Sequence, residues 1–157
     1  MAEEKAAPGS AGAEPEFVIT RMFDAPRDLV WRAWTEAERL AQWWGPKGCK
    51  IRVVKLEFRP GGFFHYVMGY SSGAEMWGRF MYREIEAPHR LVWLNSFSNP
   101  GCGITRAPFS EECPLEMLNV VTFTEAGGKT TIALRSSAHG ANEVEETYYR
   151  NLHSSLA

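Results

Sequence analysis

After Gly45-Pro46, hydrophobic and polar positions recur mainly with the two-residue period that is typical of β-strands. Six segments there are rich in β-branched and aromatic residues, and turn sequences such as Pro60-Gly61-Gly62 and Gly127-Gly128 separate most of them. Because short links join neighbouring antiparallel strands, the pattern predicts one antiparallel meander. The predicted strands cover residues 53–58, 63–68, 76–85, 91–97, 116–124 and 130–136.

The first part of the chain predicts one strand followed by two short helices. The strand begins at Phe17 and ends at Asp24, which is the predicted cap of a helix that has Pro26 in its first turn. This helix runs to about Thr35. Thr35 and the glutamate three residues later have the spacing of a capping box, which predicts the start of a second helix. Gly45-Pro46 ends that helix.

The last predicted element is a helix that begins near Asn142. Three glutamates follow in its first turns, where the positive end of the helix dipole favours them. Four apolar or aromatic residues form one side of the helix, and we expect this side to face the sheet. These residues are Tyr148, Tyr149, Leu152 and Leu156.

Length and composition predict one globular domain. The chain has 157 residues, which suits a single core, and its 45% hydrophobic and 23% charged residues are ordinary for such a domain. Residues 1–16 consist mainly of Ala, Glu, Gly and Pro, which do not offset the entropy of ordering a chain. We therefore expect a disordered tail over 1–16 and one domain over 17–157.

The order of these elements and several short motifs together resemble the SRPBCC or START-like superfamily. Within it, the sequence is similar to the bacterial single-domain relatives of the C-terminal domain of the Hsp90 ATPase activator. The motifs include Phe23-Asp24-Ala25-Pro26, Val30-Trp31-Arg32-Ala33-Trp34 and Trp43-Trp44-Gly45-Pro46. The resemblance implies an α+β helix-grip fold of the Bet v 1 type. In this fold a curved antiparallel sheet of about seven strands surrounds a C-terminal helix and leaves an apolar cavity between them.

The sequence departs from this family pattern in two respects. Family members generally continue past the position of Ala157 with further apolar helical residues, so we expect a closing helix that is incomplete here. The eukaryotic activator also has a separate N-terminal domain that makes much of its chaperone contact, and residues 1–16 do not replace it. The resemblance therefore implies the fold more strongly than it implies co-chaperone activity.

Strict alternation along the strands assigns one set of side chains to the inner face of the sheet. The set is mostly apolar with a few polar atoms, which is typical of small-molecule pockets but also of a filled core. With two aromatic or aliphatic residues of the C-terminal helix, it forms the predicted ligand site. The predicted site contains Phe64, Tyr66, Met68, Met76, Phe80, Tyr82, Trp93, Asn95, Phe97, Met117, Asn119, Val121, Tyr148 and Leu152.

Two further sequences are candidates for the mouth of this cavity. Trp44 and its neighbour Trp43 either fill the open end of the sheet or form one lip of the mouth, and their large apolar area favours filling. Residues 98–114 form a long segment without a clear period, as functional or disordered loops do. Within it Arg106 is the best candidate for contact with an anionic ligand group, and a solvated arginine is the alternative.

Several classes of chemistry find no support in the sequence. The net charge is −2 and no cluster of Lys and Arg is present, so we expect no nucleic-acid partner. The four histidines lie in four separate elements without metal-ligand spacing, and we expect neither a metal nor another cofactor. His65 and Tyr66 are adjacent on one strand and point to opposite faces, so they do not act together on a substrate. We therefore predict no catalytic residues.

The three cysteines, the hydropathy and the N-terminus bear on the compartment. Cys49, Cys102 and Cys113 are odd in number and form no CxxC pair, and we expect reduced thiols, with a Cys102–Cys113 bridge as the alternative. No apolar run is long enough for a membrane helix, and no apolar signal core is present. We therefore expect a cytoplasmic protein without a membrane partner.

Three functions follow from the pattern and the resemblance. The first is binding of a hydrophobic small molecule between the sheet and the C-terminal helix. The second is interaction with a chaperone, as a modulator of an Hsp90-type ATPase. The third is an enzyme of the cyclase or hydrolase type, which the superfamily also includes. The oligomeric state, monomer or homodimer, stays open.

Overall fold

The computed structural model describes residues 16–45 and 47–154, and the side chains of these residues up to Arg150. The predicted tail therefore lies outside the described residues except for Glu16, which is the first residue of a strand. The described chain forms three helices, α1 (Arg27–Thr35), α2 (Ala37–Trp43) and α3 (Glu143–Ser154), and eight strands. The strands are β1 (Glu16–Phe23), β2 (Cys49–Leu56), β3 (Phe63–Tyr70), β4 (Glu75–Glu86), β5 (Arg90–Ser98), β6 (Ile104–Thr105), β7 (Glu116–Ala126) and β8 (Lys129–His139).

The strands form one open, curved antiparallel sheet with the order β1-β8-β7-β5-β4-β3-β2, and β6 pairs with β5 beside β7. Two irregularities interrupt the register, one in β2 between Val53 and Lys55 and one in β4 between Tyr82 and Glu84. Helices α1 and α2 lie between β1 and β2, and α3 follows β8 and packs against it. The predicted α+β helix-grip fold is confirmed.

The core of the domain is a cluster of aromatic rings on the concave face of the sheet. Phe80 of β4 stacks on Trp93 of β5, with ring centroids 4.8 Å apart. Trp34 of α1 covers Trp93 at 6.1 Å, and Trp44 covers Phe80 edge to face at 4.8 Å. Trp34 belongs to α1 and Trp44 directly follows α2. Because both indoles pack on the sheet, this part of the concave face is filled.

The starts of the first two helices differ from the prediction. Pro26 is the N-cap of α1 and Glu36 is the N-cap of α2, and neither makes a side-chain capping bond. Asp24 is therefore not the cap of α1, and Thr35 does not form a capping box. The Thr35 hydroxyl instead donates to the Trp31 carbonyl oxygen one turn earlier, since a helical threonine satisfies its hydroxyl most easily there.

The convex face of β3 is also buried, which the alternation did not predict. His65 and Val67 point away from the concave face, as expected, but are 2% and 1% exposed. His65 Nε2 lies 3.0 Å from the Asn99 carbonyl oxygen, and its ring packs on Trp77 at 5.1 Å. Desolvation lowers the pKa of His65 below its ordinary value of 6.5, with smaller effects from nearby charges. The segment after β5 thus covers a second, smaller apolar cluster.

Candidate pocket on the concave face of the sheet

A pocket of about 640 Å³ opens on the concave face next to the filled part. Strands β1, β3, β5 and β7 supply its floor, the end of α2 supplies one wall, and the segment before β7 supplies the opposite wall. We call it the main pocket. The described residues that line it are Ile19, Trp43, Trp44, Gly45, Tyr66, Met68, Asn95, Ser96, Phe97, Cys113, Pro114, Leu115 and Met117.

The main pocket contains only part of the predicted site. Of the predicted site residues, Tyr66, Met68, Asn95, Phe97 and Met117 line the pocket. Trp44 lines it as well and also packs against Phe80 of the aromatic core. The described part of α3 does not contribute to the lining.

The other predicted site residues have different positions. Phe64, Phe80, Tyr82, Trp93 and Val121 are 0–2% exposed and belong to the filled core. Three further residues do not line the pocket. Met76 of β4 and Tyr148 of α3 are half-buried, and Asn119 of β7 is buried. The side chain of Leu152 lies outside the described residues.

A polar row begins on the floor of the main pocket, and we define it as Tyr66 and Asn95, which line the pocket, and Asn119, which is buried beside Asn95. The Tyr66 ring reaches from β3 across β4, because β4 has Gly78 at the paired position and leaves space for the ring. Its hydroxyl group comes near Asn95 of β5 and the Trp44 indole. Asn119 Nδ2 of β7 then donates to Asn95 Oδ1 at 3.3 Å.

The described lining carries no charge at neutral pH. Tyr66 and Cys113 are its two ionisable side chains. Burial raises the pKa of Tyr66 to about 12, although the nearby polar groups of Trp44 and Asn95 act in the opposite direction. Burial also raises the pKa of the Cys113 thiol, against the opposing charge of Arg106. Both groups are therefore neutral and protonated.

Arg106 does not face the main pocket. Its guanidinium donates to a carboxylate oxygen of Glu145 in α3 and to the Cys113 carbonyl oxygen at 3.0 Å. Glu145 Oε1 in turn accepts from the Asn142 backbone N–H, while Asn142 Oδ1 accepts from the Glu145 N–H at 2.8 Å. This reciprocal capping box fixes the start of α3. Arg106 thus connects the pocket wall to α3, and the predicted contact with an anionic ligand has no geometric support.

The Arg106–Glu145 ion pair predicts an acid-sensitive contribution to stability. Burial alone would raise the pKa of Glu145, but the bonds from Arg106 and Asn142 and the Arg106 charge hold it below its ordinary value of 4.5. A carboxyl whose pKa is lower in the folded chain stabilises the fold above its unfolded pKa. This contribution is lost as the pH falls through the lower folded value.

We therefore expect Glu145→Gln to reduce the free energy of unfolding at pH 7, and the difference from the wild type to shrink as the pH falls below 4.5. Urea denaturation at a series of pH values measures this difference. Glu143→Gln, an exposed glutamate in the same helical turn, is the control and is expected to have little effect at any pH. A difference that does not change with pH would contradict the interpretation.

Several lining residues were not predicted. Ile19 lies on β1 at the far edge of the sheet, and Cys113, Pro114 and Leu115 come from the long segment before β7. The length of that segment was the available signal, since long loops in compact domains are often functional. Its residues show no period that indicates which side chain faces the pocket. The thiols of Cys49, Cys102 and Cys113 are all unbonded.

A second, smaller hollow of about 350 Å³ lies between α1 and the end of β1. Its described lining is apolar apart from the indole nitrogens. Trp43 belongs to both hollows and donates its indole N–H to the Ala33 carbonyl oxygen at 2.7 Å. The remaining lining residues of the second hollow are Phe23, Ala25, Leu29, Val30, Ala33 and Trp34.

The described residues contain no group of three or more His, Cys, Asp or Glu side chains placed to hold a metal ion. They also contain no helix that is both long and apolar enough to cross a bilayer.

Solved structures of bacterial proteins have the same fold. A protein from Arthrobacter aurescens is 26% identical with a TM-score of 0.73, and the match covers 90% of this chain and 76% of that one. A protein from Mycobacterium smegmatis is 24% identical with a TM-score of 0.69, covering 90% and 83%. The AHSA1 protein from Silicibacter pomeroyi is 16% identical with a TM-score of 0.63, covering 90% and 97%.

No curated protein matches the chain significantly. The family model described as "Activator of Hsp90 ATPase homolog 1-like protein" matches residues 24–156, which begin in the loop before α1. This range includes both helices that fill the core and every strand except β1. The chain therefore belongs to the family of proteins that are like activator of Hsp90 ATPase homolog 1.

Proposed function

We propose that the protein binds a hydrophobic small molecule in the main pocket. The observation that supports this proposal is an uncharged, mostly apolar hollow of about 640 Å³ with one polar row on its floor. Pockets that bind small molecules have volumes of roughly 300–1,000 Å³ and this kind of lining. A filled core would leave no such space, and the neighbouring part of the same face is filled by Trp34 and Trp44.

We expect N-phenyl-1-naphthylamine, a neutral apolar probe, to bind with a Kd on the order of micromolar. The increase in its fluorescence on binding measures the affinity, and quenching of Trp43 and Trp44 accompanies it because both indoles line the pocket. Met117→Trp adds a large side chain to the floor and is expected to weaken binding by at least about tenfold.

Val54→Trp is the matched control, since Val54 is exposed on the edge strand β2 and does not line the pocket. Its probe affinity should equal that of the wild type. Equal binding by Met117→Trp and the wild type would place the probe elsewhere. Failure of the wild type to bind the probe would refute the proposal. Native mass spectrometry of the purified protein then identifies any small molecule that copurifies with it.

Modulation of an Hsp90-type ATPase is a second candidate, and the family description is the observation that favours it. The test is the ATPase rate of a bacterial Hsp90 with and without the protein, together with a pull-down. A changed rate would support this candidate. An ATPase rate that the protein does not change, with or without bound probe, would contradict this candidate. If the protein still binds the probe, small-molecule binding would remain as the function.

The cytoplasmic location stays a prediction from the sequence. Under that prediction the ligand is a molecule of the cytoplasm, and the three thiols stay reduced. Cell fractionation of the producing organism measures the location directly. Recovery with the periplasmic or extracellular fraction would contradict it.

A further inference from the structure

The two edges of the sheet differ in how they are protected against pairing with another strand. One edge is β2, which exposes Lys50, Arg52 and Lys55 and has an interrupted register after Val53. Charged side chains, lysine above all, and bulges are the usual features by which an edge strand avoids pairing with another chain. The β2 edge is therefore protected.

The other edge, β1, lacks these features over most of its length. It pairs with β8 without an irregularity, and no described strand pairs with its other side. Between residues 17 and 23, Arg21 is the one charged side chain. Ile19 lines the main pocket, so alternation places Val18 and Met22 on the convex face, where they are 49% and 67% exposed. An edge strand of this kind is a template for a further antiparallel strand.

An apolar hollow lies at the end of the same edge. Phe23, the last residue of β1, lines the second hollow of about 350 Å³ together with Leu29 of α1 and Trp43 of α2. All three side chains are exposed although they are apolar. Large exposed apolar patches mark sites of interaction with other proteins. A partner strand that pairs with β1 would also reach the rim of this hollow.

We propose that β1 is the interface of a homodimer, in which it pairs antiparallel with β1 of a second copy and joins the two sheets. The twofold axis passes beside Thr20, perpendicular to the sheet, and such an axis pairs side chains of the same face. On the convex face Val18 then lies opposite the partner's Met22, and this contact occurs twice. On the concave face Phe17 lies opposite the partner's Phe23, at the rim of the second hollow. The edge is therefore complementary to itself.

Neighbouring registers do not match the side chains in this way. An axis beside Ile19 would place Glu16, a charged residue, opposite the partner's Met22. An axis beside Arg21 would place two arginines directly opposite each other, which is unfavourable. With the axis beside Thr20, this threonine meets its own copy, and threonine pairs are among the favourable cross-strand pairs. The side-chain pattern therefore selects one register.

The extent of the interface determines how strong the dimer is. Interfaces of standard size take about 20–30 residues from each partner, whereas the eight residues of β1 and the rim of the hollow supply fewer. We therefore expect a weak dimer that exchanges with the monomer, with a Kd on the order of 10 µM.

Sedimentation velocity of the wild type from about 1 to 300 µM tests the proposal, and we expect the mean sedimentation coefficient to rise with concentration towards that of a dimer. Met22→Lys places an ammonium group opposite Val18 at both symmetric contacts and should weaken the dimer by at least about tenfold. Val54→Lys is the matched control, because Val54 is an exposed apolar residue on the protected edge, and it should dimerise as the wild type does. Circular dichroism checks that each variant is folded.

Two further variants test the register. Adding Val18→Glu to Met22→Lys places opposite charges across from each other at both contacts, so this double variant should dimerise more tightly than Met22→Lys alone. Thr20→Cys should form a disulfide-linked dimer under mild oxidation, because the two Cβ atoms beside the axis are about 4.5–5.5 Å apart. Val18→Cys, about 13 Å from its own copy in this register, is the control and should not form one. The wild type gives the background from the three native thiols.

A wild type that stays monomeric at every concentration would overturn the proposal. A dimer that Met22→Lys leaves unchanged would also overturn it, since the interface would then lie elsewhere on the molecule. The register fails if the double variant is no tighter than Met22→Lys, or if Thr20→Cys forms no more linked dimer than the wild type. None of these measurements involves a ligand, so their outcome leaves the proposed function to its own test.

Discussion

Replacing Gly78 with alanine should lower the free energy of unfolding by about 3 kcal/mol, the upper range for overpacking a core. The added Cβ would lie 2.5 Å from Cζ of Tyr66 and 2.6 Å from its hydroxyl oxygen. The ring cannot move aside easily, because Phe64 packs on it at 4.7 Å and Trp44 packs against it edge to face at 6.5 Å. Urea denaturation of both proteins measures the loss.

Gly69→Ala is the matched control for this substitution. Gly69 also lies inside a strand, but a Cβ there would contact only the Lys50 carbonyl oxygen, at 3.8 Å. We expect a change within about 0.5 kcal/mol. Similar losses in both variants would mean that any strand alanine is unfavourable here, which would contradict a specific role of Gly78.

The sequence predicted the fold well because its signals are local. Alternation defined the strands, and turn sequences containing glycine separated them. The boundaries of β2 were the largest difference, since the predicted strand 53–58 is shifted along the chain from Cys49–Leu56. The short strand β6 was missed, because two residues are too few to show a period.

The division of the concave face into filled core and open pocket could not be predicted in this way. Alternation gives the same inward direction to Trp93 and to Phe97, yet Trp93 is 1% exposed beneath Trp34 and Trp44 while Phe97 lines the pocket. The difference depends on where α1 and α2 place their indoles. That placement is a tertiary contact between elements far apart in the sequence.

The residues in the wall of the main pocket could not be predicted from local sequence patterns either. Cys113, Pro114 and Leu115 face the pocket because Arg106 joins the Cys113 carbonyl oxygen to Glu145 on α3. An isolated arginine in a long loop gives no sign of a glutamate partner 39 residues later. The ion pair also explains why a residue predicted to contact a ligand has a positioning role instead.

Trp93→Ala is the second substitution for which we expect a large effect, a loss of about 3–5 kcal/mol in the free energy of unfolding. The indole is stacked on Phe80 and covered by Trp34 and Trp44, so its removal leaves a cavity that these three rigid rings cannot fill. Because Trp93 does not line the main pocket, variants that remain folded should bind N-phenyl-1-naphthylamine with little direct loss. Thermal unfolding followed by circular dichroism, at several probe concentrations, separates stability from binding.

Tyr82→Phe, on the adjacent strand, is the control. We expect it to change the free energy of unfolding in the opposite direction. Tyr82 is 1% exposed and its hydroxyl oxygen has no hydrogen-bond partner among the described residues, while its ring packs on Phe58 at 5.1 Å. Deleting this hydroxyl group keeps the ring and removes a buried unpaired donor, so stability should stay level or rise by up to about 1 kcal/mol. Its affinity for N-phenyl-1-naphthylamine should equal that of the wild type. A loss of probe affinity in Tyr82→Phe, or full stability in Trp93→Ala, would show that the open and filled parts of the concave face are assigned wrongly.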